Sequence, residues 1–310
     1  MELPTFDPGL TQKFTGTLRR TINKDGSFNV HRRGTSWRDV HVYLYLINTR
    51  WWIFFGLVFL GYVVMNTVFA MVYYSLGPNQ LQGADAPTDF AHFLNSFFFS
   101  AHTLTTVGYG SISPKGTAAN VVAAIEAMVG LMGFALATGL LYGRVSRPSA
   151  RLGYSRNVLI APYQDGTSLQ FRVVNQRANT IMELEASVML MTVVGVPGQL
   201  RRDFAPLKLE RRSLYFLPLT WTVVHPIDAQ SPLYGKTPAD LERLQAEILI
   251  LMKGFDDTFS QTVHSRYSYL YHEILWGARF APAFSIDPAG DIVLEVNQVG
   301  ALAVAEASDR

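Results

Sequence analysis

The sequence contains no cysteine, which excludes disulfides, thiol chemistry and cysteine-based zinc or iron–sulfur sites. Charge is scarce as well: Asp, Glu, Lys and Arg make up 16% of the 310 residues, against about 25% in an ordinary soluble domain. The formal net charge of +2 is too small to mark a nucleic-acid binder, so no nucleic-acid partner is expected. No segment repeats at a fixed period, and residues 1–35 lack the apolar run of a signal peptide. What the chain has in quantity is apolar sequence, 49% of all residues.

Two stretches concentrate it. Trp51 to Leu76 is 26 residues without a formal charge, about 39 Å long as a helix at about 1.5 Å per residue, and Gly77-Pro78 ends it. Gly116 to Gly143 carries one formal charge, Glu126, and closes on Arg144. Both are long enough to span a bilayer. Between them, Phe90 to Thr105 is aromatic-rich and free of formal charge, but too short to cross, which suits a buried re-entrant helix. Its C-terminal dipole would favour a cation at its end.

At that end lies Thr105-Thr106-Val107-Gly108-Tyr109-Gly110. In a strand, successive carbonyls point to opposite sides. Aiming several the same way requires alternating left- and right-handed backbone, and Gly108 and Gly110 take φ > 0 without strain. Four such loops around one axis would stack oxygen rings from Thr106, Val107, Gly108 and Tyr109 that replace the hydration shell of a potassium ion. Gly-Tyr-Gly as a plain turn is the bland alternative, and the flanking spans argue against it.

The remaining segments set topology. From Ser36 to Asn48, Trp37, Val40, Tyr43, Leu44 and Ile47 recur at helical spacing, as in an amphipathic helix on the membrane surface, with Arg50, Trp51 and Trp52 as interfacial anchors. Residues 1–35 read as an irregular arm. Eight Lys and Arg precede position 51, only Lys115 lies between Gly77 and Ala118, and Arg144, Arg147 and Arg151 follow the second span. Both termini are therefore expected in the cytoplasm. After Arg147-Pro148 the pattern turns to period two: Leu169, Phe171, Val173; Met182 through Leu190; Ile292, Leu294, Val296. This predicts a β-sandwich or barrel with one helix from Pro238 to about Ala246, capped by Thr237. The expected domains are 1–35 (arm), 36–48 (interfacial helix), 49–148 (two-span pore) and 149–310 (β-sandwich).

Three strings in the β-rich part narrow the reading: Trp221 to Asp228 (WTVVHPID), Ser231 to Gly235 (SPLYG) and Glu273 to Gly277 (EILWG). With the Thr-Val-Gly-Tyr-Gly loop, and in the same order, they resemble the prokaryotic inward-rectifier potassium channels from about Gly34 to Phe284. The resemblance implies a homotetramer of a bacterial inner membrane, a slide helix, a two-span pore with a re-entrant helix, and an immunoglobulin-like cytoplasmic sandwich that prolongs the ion path. An enzyme is not expected. His225, Asp228 and Ser231, or a metal set including His264 and His272, lack the spacing of a hydrolytic or metal site.

Phe134, Thr138 and Tyr142 share one face of an ideal helix, spread over about 80°. The resemblance places Phe134 in the cavity and Tyr142 at the bundle crossing, a constricting gate; helix packing is the other reading. Gly130 and Gly139 match bending glycines, or serve close helix approach. Glu126 points away from that face, toward the pore helix. It pairs with His102 behind the filter, or His102 bonds a main-chain carbonyl. Arg50, Arg144, Arg147 and Arg151 are candidate contacts for anionic headgroups, or only topology signals. Gly254-Phe255-Asp256-Asp257-Thr258 matches a loop girdling the cytoplasmic pore, where the two aspartates would concentrate cations, or forms an acidic turn. No cofactor beyond potassium is expected. Magnesium or polyamines are possible blockers, with weak rectification because Phe134 and Lys253 are not acidic. A weakly selective two-span cation channel and a potassium channel gated by a ligand on the sandwich stay open.

Overall fold

The structure, a computed structural model, describes residues 8–10, 13–14, 20–31, 33–34, 41–85, 87–146, 150–196 and 199–303. The first part of the expected interfacial helix (36–40) and Arg147 lie outside them. After a two-residue strand, β1 (Lys13–Phe14), come α1 (Val42–Asn48), α2 (Trp51–Leu76), β2 (Leu81–Gln82), α3 (Asp89–Leu104), β3 (Ser113–Pro114) and α4 (Thr117–Val145). Two compact units result, one of residues 33–147 and one of residues 1–32 with 148–310.

The helical unit is two long apolar helices with α3 between them. α2 stops at Gly77, whose φ of 95° breaks the helical path before Pro78. At the start of α3, the Thr88 hydroxyl accepts the Ala91 amide at 3.2 Å and Asp89 sits in the first turn, satisfying backbone donors that a buried helix start would leave unpaired. β2 and β3 form a two-residue ladder, Leu81 opposite Pro114, closing the loops on either side of α3. The expected element bounds agree with these helices to within two residues.

The second unit continues with β4 (Leu152–Tyr154), β5 (Val158–Tyr163), β6 (Gly166–Asn175), β7 (Ile181–Val196), β8 (Gln199–Pro206), β9 (Ser213–Phe216), β10 (Thr220–Ile227), α5 (Pro238–Arg243), β11 (Glu247–Asp256), β12 (Gln261–Leu270), β13 (Ile274–Trp276), β14 (Phe284–Ile286) and β15 (Ile292–Leu294). One sheet runs β1-β8-β7-β11-β12 with β9 beside β7; the other runs β10-β6-β5-β13 with β4 beside β6. The period-two residues face each other across the gap. Leu169, Phe171 and Val173 of one sheet meet Leu184, Ala186, Val188 and Leu190 of the other, with Ile248, Ile250 and Met252, in one buried core. α5 ends at Arg243, short of the expected Ala246, because Gln245 adopts φ of 45°. Val296 belongs to a 3₁₀ turn and not to the strand before it.

The described residues of the N-terminal arm hold turns and an isolated bridge, with β1 as their one strand, and they pack against the fold. Residues 20–31 dock on the outer face of the first sheet, where Ile22 joins Met191, Val193, Phe204 and Leu249 in a second buried cluster. The amide of Thr21 donates to both carboxylate oxygens of fully buried Glu247 at 3.0 Å, and the Ser268 hydroxyl donates to the Ile22 carbonyl at 2.7 Å. Glu273 pairs with Arg20 and, at 2.5 Å, with Lys24. These bonds hold the Glu273 carboxyl below the ordinary glutamate range, although burial pushes the other way. Single apolar residues such as Leu10 and Ile22 have no local period, so only the tertiary surface reveals their role. Removing the carboxylate with Glu247→Ala leaves a buried amide unpaired and is expected to cost about 1–3 kcal/mol, read as a lower melting temperature with faster hydrogen exchange at Thr21 and Ile22.

Candidate ion pathway

The loop after α3 does what its glycines require. Gly108 has φ of 55° and Gly110 of 82°, and Thr106 joins them at 60°, so left-handed backbone falls on alternate residues while Val107 and Tyr109 stay at negative φ. Thr106 was not foreseen in this conformation. For a β-branched residue it is strained, at a cost of about 1–3 kcal/mol, which the neighbouring bonds must hold. They are visible: the Thr106 amide donates to Thr103 O at 3.0 Å, and the amides of Val107 and Gly108 both donate to His102 O, at 2.9 and 3.3 Å. With donors turned to the end of α3, the loop carbonyls are left for another partner. His102 therefore acts through its main chain, while its ring lies edge-on to Tyr109 at 4.8 Å.

Glu126 and His102 are not brought together. Glu126, fully buried, instead contacts Tyr73 Oη at 2.7 Å and Ser100 Oγ at 2.5 Å, joining α4 to α2 and α3. The sequence did hold a signal for this. Asn66 and Tyr73 are polar, seven residues apart and so on one face of an apolar helix, and Ser100 is the matching polar residue of α3.

Phe134, Thr138 and Tyr142 are all exposed on the single subunit, with Phe134 and Tyr142 at 73%. Packing within the subunit is thereby excluded for them. The two glycines separate. A Cβ on Gly130 would stand 2.0 Å from the Leu104 carbonyl oxygen, so Gly130 lets α4 touch the end of α3, whereas a Cβ on Gly139 would meet nothing within 4 Å.

Arg144 is spent on protein. Its guanidinium donates to the carbonyls of Leu46, Ile47 (3.0 Å) and Thr49 (2.6 Å), capping the end of α1, and lies over the rings of Trp51 and Phe54 at 4.6 and 4.8 Å. Its expected role as a headgroup contact is corrected accordingly. Arg50 and Arg151 are exposed.

In the girdle string, Gly254 lies where the β11–β7 register shifts, with Ile181 and Leu184 too close for a side chain. Asp256 is fully buried, accepting from Asn179 Nδ2 at 2.9 Å and from the Thr258 amide at 3.1 Å. It is a turn-forming acid, so of the expected pair only Asp257 is exposed, beside Thr258 and the half-buried Phe255. The rejected hydrolytic trio resolves similarly. His225 Nδ1 donates to the Lys208 carbonyl at 2.6 Å and Nε2 lies 2.8 Å from Ser231 Oγ, while Asp228 accepts the Gln230 amide at 2.9 Å. Burial holds the His225 imidazole below its ordinary range, and the trio is a braced turn. Among the described residues, no group of three or more His, Cys, Asp or Glu could hold a metal ion.

Two apolar helices flanking a re-entrant helix, with a loop of alternating backbone handedness, define an ion-channel subunit, here carrying a β-sandwich. Comparison with known proteins gives the particular family. The family model of the inward rectifier potassium channel C-terminal domain matches residues 152–308, and an ion channel model matches residues 57–146. The chain is 35% identical over 283 residues to the inward rectifier potassium channel Kirbac3.1 of Paramagnetospirillum magnetotacticum, covering 90% of this chain and 94% of that one. It is 28% identical to the human inward rectifier potassium channel 4, covering 85% of this chain and 68% of that one. The chain belongs to the inward rectifier potassium channel family. It is a membrane protein, and not an enzyme.

Gly130→Ala is expected to weaken the α3–α4 contact and lower both melting temperature and ion flux, because the clash is with backbone; Gly139→Ala, which meets nothing within 4 Å in its own chain, is expected to leave the α3–α4 contact intact and lower the melting temperature less. Paired melting curves and liposome flux check this.

Proposed function

We propose that the chain is one subunit of a homotetrameric, potassium-selective channel of a bacterial inner membrane, with both termini cytoplasmic. The observation that carries selectivity is the alternation of backbone handedness at Thr106, Gly108 and Gly110 with the loop amides drawn to His102. Four such loops around an axis would present carbonyls of Thr106, Val107, Gly108 and Tyr109 to a dehydrated potassium ion. The exposed face of Phe134, Thr138 and Tyr142 supports an aromatic constriction on the same axis. Anionic lipids would act through Arg50, Arg147 and Arg151, each worth about 1 kcal/mol near an anionic surface, since Arg144 is committed to α1. A second reading, gating by a ligand on the sandwich, is supported by a cleft of about 280 Å³ between Pro206, Lys208, Glu210, Asp228 and Gln230.

Liposomes holding the pure protein are expected to pass potassium over sodium and to be blocked by barium. Gly108→Ala should abolish the preference. A Cβ there meets no neighbour within 4 Å, so the penalty is the left-handed backbone, about 1–2 kcal/mol per residue. Retained selectivity in that variant removes the loop from the pathway.

Rectification follows from the same assignment. Steep block by magnesium or polyamines needs acids within the membrane field. The cavity position is Phe134, Lys253 precedes Gly254, no acid lies between Thr192 and Arg202, and Asp256 is buried, leaving Asp257 outside that field. Weak voltage dependence of spermine block is expected in planar bilayers, with Phe134→Asp making block tighter and steeper.

A further inference from the structure

Four polar side chains from three helices meet behind the loop with no access to water. Asn66 and Tyr73 of α2, Ser100 of α3 and Glu126 of α4 are each 0% exposed. Tyr73 Oη lies 2.7 Å from Glu126 Oε2, Ser100 Oγ lies 2.5 Å from Glu126 Oε1, and Ser100 Oγ lies 3.1 Å from Asn66 Oδ1 and 3.2 Å from the Asn66 main-chain carbonyl oxygen. The Asn66 amide has one orientation open to it. Its Nδ2 donates to the Tyr62 carbonyl at 2.7 Å, and a flipped amide would set two carbonyl oxygens against each other there. Oδ1, an acceptor, is thus the atom that faces Ser100.

The hydrogens can then be counted. The two contacts of Glu126 need one hydrogen each and the Ser100–Asn66 contact a third, shared between Oδ1 and the main-chain carbonyl, while the tyrosine and serine hydroxyls supply one each. With Glu126 ionised, both hydroxyls would donate to it, and Ser100 Oγ would face Asn66 Oδ1 with nothing between two acceptors. With a proton on Oε1 the chain closes: Glu126 donates to Ser100, Ser100 donates to Asn66, and Tyr73 donates to Oε2.

We infer that Glu126 is a neutral carboxylic acid that donates to Ser100, and that this built-in proton positions α2, α3 and α4 behind the ion pathway. The surroundings agree. Of the titratable and charged groups on the helices packed there, Tyr62, Tyr73 and Tyr74 of α2 and Asp89 of α3 are not cations. The His92 ring lies against Tyr74 at 5.1 Å, the His102 ring lies against Tyr109 at 4.8 Å, and Arg144 of α4 is bound to the end of α1. No cation on these helices bonds the carboxyl, and an unpaired carboxylate in a dry apolar site is strongly disfavoured. Strong alkali removes the proton, leaves Ser100 one hydrogen short and loosens the three-helix contact. The consequence for conduction rests on the channel reading above; the protonation does not.

The test separates the two. Infrared spectra of the full-length protein in lipid at neutral pH should contain a carbonyl band of a protonated, hydrogen-bonded carboxylic acid that disappears in Glu126→Gln. In Ser100→Ala the band should persist, shifted by loss of its acceptor, which keeps the test usable if the glutamine variant fails to assemble. The glutamine amide reproduces the donor and the acceptor of a neutral acid, so Glu126→Gln should keep the parent potassium flux and lose the parent's decline at alkaline pH. Glu126→Leu should lower flux by about tenfold, as expected for a lost buried anchor. If no band is assignable to Glu126 in the parent or in Ser100→Ala, the inference is overturned, whatever the flux. A glutamine variant that assembles but conducts as poorly as the leucine variant overturns it too.

Discussion

A potassium ion gives up its water only to oxygens held at fixed positions, and a peptide loop offers such oxygens only when its own amides are satisfied elsewhere. On the function proposed above, that constraint organises the helical unit. The amides of Val107 and Gly108 need an acceptor away from the loop carbonyls, and the final turn of α3 supplies one in the His102 carbonyl. An α-helix leaves its last four carbonyls free, so a short helix ending at the loop is the least costly source of that acceptor. α3 must in turn be held at membrane depth, which is the task of Thr88 at its start, Ser100 in its middle and Gly130 of α4 at its end.

The same rule governs the few polar groups elsewhere in the spans. In hydrocarbon an unpaired donor or acceptor has no water to fall back on, so each polar side chain must bring its partner with it. Thr67 returns its hydroxyl to the Val63 carbonyl at 2.8 Å, and Asn66 bonds Tyr62 in the same way. Arg144 answers the problem at the C-terminal end of α4, where three carbonyls at the end of α1 and two aromatic faces surround its guanidinium. Gly143, one residue earlier, lets α1 come close enough: a Cβ there would be 3.2 Å from Tyr43 Oη and 3.3 Å from Ile47 Cδ1. A basic residue placed by topology is thus also a mechanical link between two helices.

The fold was largely legible in the sequence because its signals are local. Span lengths, Gly-Pro stops, period-two strands and the Thr237-Pro238 helix start each depend on residues close together, and the structure has them with small shifts at the ends. The Thr-Val-Gly-Tyr-Gly loop was legible because glycine at alternate positions has few other uses. What escaped depends on contacts between distant residues. Nothing near Ile22 announces Glu247 or Leu249, nothing near Asp256 announces Asn179, and the choice of Glu126 between His102 and Ser100 turns on about half a helical turn of rotation. Arg144 was misassigned for the same reason, since a basic residue after a span reads alike whether it meets lipid or protein.

How much of each span is buried bears on what the subunit needs around it. Within the single chain only 17% of the most apolar stretch of α2 and 11% of that of α4 are buried, so neither is the core helix of a soluble domain. Lipid suffices to cover α2. α4 is different: outside the face of Glu126 and Gly130 that meets α2 and α3, its exposed residues include Leu131, Met132, Phe134, Leu136 and Tyr142. On the tetrameric reading proposed above, part of that exposed surface would meet the axis and part a neighbouring copy, and a Cβ on Gly139, which meets nothing within 4 Å in its own chain, would face that space. Such an assembly would answer the same requirement as the loop, that each exposed group in the membrane find a partner of matching chemistry.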